Sequence, residues 1–406
     1  MLKKGTVKLT FIFIGLVFIG TMARAAAFDE SIKVGVLLPL TGKLASLGEI
    51  EQKSFLMALD EINEAGGIDG KKIDLIFRDT AGKPAVGRSA IEKLIVQDKV
   101  SIVGGGVSSS VTWAAIKVAQ KNKVPFLVNT ASADKITEKG GDFIFRLNPP
   151  ASEYPDALNS FLTNVARIKT AAILYENTPF GYSSLKGFTR QCKKIGLRVV
   201  AKEAYEAEVP DFKHLLTSIN AREPDLLYMI CSSTGTDASM IVTQAKELKL
   251  NARLFVGGGV GFTLSEFQKD ADDASDYVFA VTLWEPSVNY PGVRDYYSNF
   301  VKKYNEPTEY HGAQAYAAMY VIADALKRAK YHTPHEVRDA LSETDMMTIF
   351  GPVKFISYRK KKLQNKIPTL LGQWIHGKFG VVWPKELATV EYVYPMPSWG
   401  ELLELY

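Results

Sequence analysis

The chain has 406 residues, of which 47% are hydrophobic and 23% charged, a balance that excludes disordered, collagen-like and coiled-coil classes. One hydrophobic core rarely serves so long a chain, so roughly two domains are expected. The formal charge of +5 sits at the front: Lys3, Lys4, Lys8 and Arg24 precede any acid, and without them the balance falls to +1. That removes the main support for a nucleic-acid partner.

Taken in chain order, the first element is an address. Three lysines lead into the apolar run Leu9–Met22, followed by Ala23-Arg24-Ala25-Ala26-Ala27. Residues 1–25 therefore read as a secretory signal peptide, with cleavage after Ala25 or Ala27. A membrane anchor is the alternative, but the run is short of the ~20 residues that span a bilayer. No cysteine lies near the cleavage site to carry a lipid. The mature chain is expected to be exported, soluble and periplasmic. Its Cys192 and Cys231 fall in a helical pattern and at a strand end, and are expected as two separate buried thiols.

From Ile32 the pattern alternates strand and helix. Ile32–Leu38 reads as a strand, and after Gly48 the residues Phe55, Ala58, Leu59 and Ile62 recur at helical spacing up to Gly66-Gly67. Strand Lys72–Phe77, helix Ala85–Gln97, strand Val100–Val103, helix Val111–Gln120, and strands Val124–Val128 and Phe143–Arg146 follow. The pattern breaks at Asn148-Pro149-Pro150 and restarts. Strands Thr170–Tyr175, Arg198–Ala204, Asp225–Ile230 and Arg253–Val256 alternate with helices near Tyr182–Ile195, Asp211–Asn220 and Ser239–Leu248. Strand Tyr277–Leu283 precedes helical stretches Val293–Tyr304, Tyr310–Ala329 and Thr333–Ser342, and Val353 to about Tyr394 alternates in the β manner. Short apolar strands joined by amphipathic helices predict an α/β fold of two doubly wound, largely parallel sheets. The basic run Arg359–Lys362 reads as a solvated hairpin turn.

Chemistry that would mark an enzyme is poorly represented. The five histidines are scattered, and the nearest pair, His332 and His335, flanks Pro334 without the convergence a metal needs. Gly104-Gly105-Gly106 follows a strand, but the glycine pattern ends in Ser109 and no acid stands about twenty residues on, so a dinucleotide reading fails. A nucleophile elbow at Ser108 has Gly106 on one side and no partner glycine on the other. No catalytic residue, metal or cofactor is expected.

Two strand-to-helix junctions are dense in small hydroxyl residues, Val107-Ser108-Ser109-Ser110 and Asn129-Thr130-Ala131-Ser132. Open parallel sheets bind ligands beyond the carboxyl ends of their strands, where helix N-termini offer free N–H groups to an anion. Ser108, Ser109, Thr130 and Ser132 are thus candidates for a carboxylate cradle; the bland alternative is that they only cap helices.

The same segments carry a resemblance. Val34–Pro84, Ile102–Ala114, Val124–Thr137, Phe145–Glu153, the ENTPFGYSS turn at Glu176–Ser184, Asp211-Phe212, Ala315–Leu326 and Gly372–Pro384 resemble, in this order, the periplasmic solute-binding proteins of ABC transporters for branched-chain amino acids. The resemblance implies a type I periplasmic-binding fold: residues 31–147 with 285–352 as one lobe, and 148–284 with 353–406 as the other. Hinge crossings are expected near Leu147–Pro150, Thr282–Pro286 and Phe350–Phe355, with a ligand cleft between the lobes. It implies that Ser108, Thr130 and Ser132 hold a ligand carboxylate, with Phe180 as an aromatic lid and Leu47 as a bulky pocket residue. Thr234 and Gly258 would lie on the second wall, and Trp284 and Tyr310 at the cleft rim. The family's acidic residue for a ligand ammonium has no counterpart in Val256-Gly257-Gly258-Gly259-Val260, which shifts the expectation from an ordinary amino acid toward an aromatic or aliphatic monocarboxylate. A small organic acid or amino acid and ABC permease subunits are the implied partners, with a monomeric receptor as the expected form. A ligand-sensing module of the same fold is the competing class.

Overall fold

The computed structural model describes residues 31–207, 209–232 and 235–401. The expected signal peptide and Thr234 lie outside them. Among the described residues no helix is long and apolar enough to cross a membrane.

The first run builds β1 (Ile32–Leu38), α1 (Ala45–Glu64), β2 (Ile73–Asp79), α2 (Pro84–Val96), β3 (Val103–Gly105), α3 (Ser109–Asn122), β4 (Phe126–Val128), α4 (Lys135–Lys139) and β5 (Ile144–Arg146). The second builds α5 (Asp156–Phe161), β6 (Thr170–Glu176), α6 (Pro179–Ile195), β7 (Arg198–Tyr205), α7 (Lys213–Asn220), β8 (Leu226–Cys231), α8 (Gly235–Glu247), β9 (Leu254–Gly259), α9 (Ser265–Ala271) and β10 (Phe279–Thr282). Then follow α10 (Val293–Tyr304), α11 (Tyr310–Arg328), α12 (Pro334–Ser342), β11 (Asp345–Thr348), β12 (Gly351–Lys354), β13 (Ile356–Tyr358), β14 (Lys361–Gln364), β15 (Leu370–Ile375) and β16 (Lys378–Trp383).

Two seven-stranded sheets result, ordered β13-β14-β5-β4-β3-β1-β2 and β16-β15-β10-β9-β8-β6-β7, with a small β11-β12 pair. Strands β1 to β5 pair in parallel, as do β6 to β10, and β15 and β16 add antiparallel edges. Strand β8 (LLYMIC) is buried at every position, as expected for a strand covered on both faces by helices. Helices α1 and α11 pack together over the first sheet, so residues far apart in sequence share one core.

The glycine run after β3 has a structural reason. Gly105 and Gly106 have φ of +104° and +90°, and a Cβ on Gly105 would lie 2.5 Å from the Leu37 carbonyl oxygen. Only glycine lets the chain turn there and deliver the start of α3 to the sheet edge. The run shapes a turn, which explains the missing phosphate-loop features.

The chain passes between the sheets after Arg146, after Thr282 and after Gln364. The third passage differs from the expectation. Residues 353–364 were assigned by resemblance to the second lobe, yet β13 and β14 extend the first sheet, through Gln364 beside Arg146 of β5. The Gln364 side chain secures that edge: Arg146 Nε donates to its Oε1 at 2.6 Å, and its Nε2 donates to the Asn148 carbonyl at 2.7 Å. The basic run does form a hairpin turn, with Arg359, Lys360 and Lys362 exposed, but Lys361 is only 4% exposed and its ammonium pairs with Asp134 at 3.1 Å and Glu138 at 3.6 Å. Cys192 and Cys231 are both buried free thiols.

Candidate functional site

Between the two sheets lies a cleft of about 560 Å³, a size suited to a small ligand. One wall is the start of α3. Ser108 sits at its N-cap in an extended conformation, and its side chain caps nothing. Its hydroxyl meets only that of Ser110, at 3.0 Å, so the pair retains a proton to donate. The first turn of a helix also has N–H groups without intrahelical partners and a partial positive charge. Ser108, Ser109 and Ser110 all line the cleft. This wall is built for an anion.

The other expected hydroxyls line the cleft but are engaged elsewhere. Ser109 Oγ accepts the backbone N–H groups of Ser132 and Ala133 at 3.2 and 3.1 Å. Ser132 Oγ donates to the Thr130 carbonyl at 2.7 Å and accepts from Asn148 Nδ2 at 2.6 Å and from the Tyr154 hydroxyl at 2.8 Å. Thr130 Oγ1 faces two acceptors, Glu51 Oε1 at 2.6 Å and Gln314 Oε1 at 2.8 Å. Ser109 only accepts in these bonds and keeps its own proton for a ligand, so the cradle consists of Ser108, Ser109, Ser110 and the backbone of α3. Thr130 and Ser132 instead brace the floor. The physical reason is that Glu51, Asn148, Tyr154 and Gln314, from three separate segments, converge beneath the second junction and take up its hydroxyls.

That floor is a buried polar network. Glu51 is fully buried, and burial pushes its carboxyl from 4.5 up to about 7, against the opposing pull of His311, Thr130 and Asn129. Tyr154, also buried, is pushed up to about 12, so it acts as a neutral donor. Beside it the Phe180 ring meets Tyr154 edge-on at 5.6 Å, making an aromatic corner of the cleft.

The second wall carries a carboxylate that sequence reasoning did not place there. Glu176 ends β6, is 3% exposed and lines the cleft. Its Oε2 accepts the Ser232 backbone N–H at 2.6 Å and the Ser232 hydroxyl at 2.7 Å. Thr178 caps α6 by accepting from Gly181 N at 3.1 Å and stands 3.0 Å from the Ser232 hydroxyl. Gly259 and Val260 complete this wall. The glycine segment of β9 carries no acid, as expected, but the wall is not without one: the acidic side chain comes from the end of β6. Its place at the carboxyl end of a parallel strand was the available signal.

Of the remaining expected residues, Phe180 and Tyr310 line the cleft. Leu47 does not: it is wholly buried in the core cluster on α1. Gly258 packs instead against Tyr228, whose hydroxyl a Cβ would strike, and its neighbour Gly259 takes the cleft position. Trp284 is 2% exposed, donates its indole N–H to the Ile349 carbonyl at 2.9 Å, and lines a second cavity of about 290 Å³ rather than the cleft. His311, Tyr154, Glu176, Ser110 and Ser232 were missed. Among the described residues no cluster of His, Cys, Asp or Glu could hold a metal ion.

The family model described as periplasmic binding protein matches residues 31–374. Among curated proteins, Leu/Ile/Val-binding protein homolog 7 of Brucella melitensis biotype 1 is 28% identical over 392 residues, covering 92% of this chain and 96% of that protein. Homolog 8 of Brucella abortus is 29% identical over 397 residues, covering 92% and 95%. Among solved structures, the branched-chain amino acid transporter substrate binding protein LivJ of Streptococcus pneumoniae, in complex with isoleucine, has a TM-score of 0.78 at 27% identity, covering 90% of this chain and 100% of that one. An ABC transporter solute binding protein of R. palustris in complex with benzoate has a TM-score of 0.76 at 22% identity, covering 87% and 95%. With the matched region running through both sheets and the cleft between them, this chain belongs to the periplasmic binding protein family.

Proposed function

We propose that this chain is the exported solute receptor of an ABC importer and that its cleft captures a small α-amino acid. The carrying observation is the polarity of the cleft: an N-terminal helix end with the free Ser108–Ser110 hydroxyls on one wall, and the Glu176 carboxylate on the other. The ligand carboxylate docks on α3, its ammonium faces Glu176, and its body packs against Phe180, Tyr154 and Val260. The Brucella relatives are described as Leu/Ile/Val-binding homologues, and LivJ was solved with isoleucine, which supports an amino acid over a plain monocarboxylate. Because the two poles belong to different sheets, a zwitterion gains both contacts only when the sheets approach, so binding shifts the chain toward its closed form. The closed receptor is then what a permease recognises.

Isothermal titration of the mature chain against small L-amino acids, each beside the same acid lacking its amino group, tests this reading. Wild type should prefer the amino acid, and Glu176→Gln should abolish the preference while leaving the deaminated acid bound. Equal binding of both members by wild type would refute it.

A further inference from the structure

His311, at the start of α11, lines the cleft floor yet is only 1% exposed. Its Nδ1 lies 2.8 and 2.9 Å from the two carboxylate oxygens of Glu309, and that carboxylate also accepts the His311 backbone N–H at 3.1 Å, capping the helix. Tyr310 stacks on the ring, with centroids 4.0 Å apart. The imidazole is therefore fixed in place: Nδ1 faces the Glu309 carboxylate, and Nε2 is the ring nitrogen left for another partner, an acceptor in the neutral ring and an N–H donor in the imidazolium. That Nε2 is buried and has no hydrogen-bond partner.

A buried ring nitrogen without a partner is costly, and in native proteins such groups call for an explanation. The arrangement supplies one. Glu309 belongs to the lining of the second cavity and not of the cleft, whereas His311 lines the cleft. The side of the ring away from Glu309 is thus the side available to a bound molecule.

We infer that His311 Nε2 exchanges a hydrogen bond with a polar group on the ligand's side chain, so that the solute bears a hydroxyl or amide group beyond its carboxylate and ammonium. This deepens the amino-acid reading and rests on it. The two walls grip what every amino acid has in common, and the floor selects among them. A site built to pair with a polar group rejects the analogue that lacks it, because the site's own group is then left unpaired.

The test is titration calorimetry on the mature chain with matched pairs: L-threonine against L-valine, L-tyrosine against L-phenylalanine, and L-glutamine against L-methionine. Wild type should favour the donor-bearing member of at least one pair by about tenfold or more. His311→Phe should erase that preference while holding the donor-free member within about twofold, and His311→Gln, whose amide both donates and accepts, should restore part of it. Melting of the ligand-free variants checks the fold: His311→Phe should melt lower than wild type, because it loses the Nδ1 contact with Glu309, but in a single cooperative transition well above the titration temperature. If wild type binds these amino acids without discriminating within any pair, or if His311→Phe weakens both members of the preferred pair alike, the inference is wrong while the amino-acid reading stands. If none of the six binds, the amino-acid reading falls and the inference with it.

Discussion

Glu51→Gln isolates the carboxyl beneath the cleft. A carboxyl held at about 7 rather than 4.5 makes ionisation cost about 3 kcal/mol more in the folded chain than in the unfolded one. The hydrogen bonds agree with a protonated Glu51: Thr130 has one proton for two acceptors, Glu51 Oε1 and Gln314 Oε1. If Glu51 carries the proton, it donates to Thr130, which passes its own to Gln314, and every oxygen on that path is satisfied. Between pH 4.5 and about 7 the folded chain binds more protons than the unfolded chain, so this group's contribution to stability is full below pH 4.5. It falls as pH rises through the folded value and levels off above it. Glutamine cannot ionise, and the Asn129 Oδ1, buried without a partner, can turn to accept from the new amide. Urea unfolding of both proteins from pH 4.5 to 8.5 gives a difference curve from which other titrating groups cancel. The variant should gain on wild type as pH rises, by up to about 3 kcal/mol at pH 8.5. Parallel curves for the two proteins would refute both the raised carboxyl and the proton path.

Other perturbations separate the remaining parts. Ser108→Ala should weaken carboxylate binding by about 1–3 kcal/mol in calorimetry while leaving the melting temperature nearly unchanged, because this hydroxyl touches only Ser110. Lys361→Met should destabilise the chain by a few kcal/mol in chemical denaturation, since it strands Asp134 and Glu138 beside a buried apolar group. Burial pushes the Cys192 thiol up to about 12 and holds the Cys231 thiol well above its ordinary value. At pH 8 an electrophilic thiol reagent should therefore label neither in the native chain and both after unfolding, as read by intact mass.

The alternation of short apolar strands with amphipathic helices made two α/β halves legible, because sheets covered on both faces write near-continuous apolar runs such as β8. The anion wall was legible for the same local reason: Ser108 directly follows a strand and opens a helix. What sequence could not show is how side chains from other segments compete for the neighbouring hydroxyls. Ser109, Thr130 and Ser132 look equivalent to Ser108 in the sequence, but Asn148, Tyr154, Glu51 and Gln314 engage Thr130 and Ser132, and the chain's own backbone engages Ser109. His311 carries no local signature at all, since its meaning comes from Glu309 holding one nitrogen and the cleft facing the ring. The edge hairpin was misassigned because period-two alternation identifies a strand and not its sheet. Membership rests on the Gln364 side chain and one residue of register with Arg146.

The account stands on an amino acid spanning the two walls, and a crystal structure of the chain with a bound amino acid tests that most directly. It predicts carboxylate oxygens within about 3 Å of the Ser108 hydroxyl and the backbone nitrogens opening α3, with the ammonium at the same range from Glu176. A carboxylate seated on Lys43, or an ammonium turned away from Glu176, would contradict it.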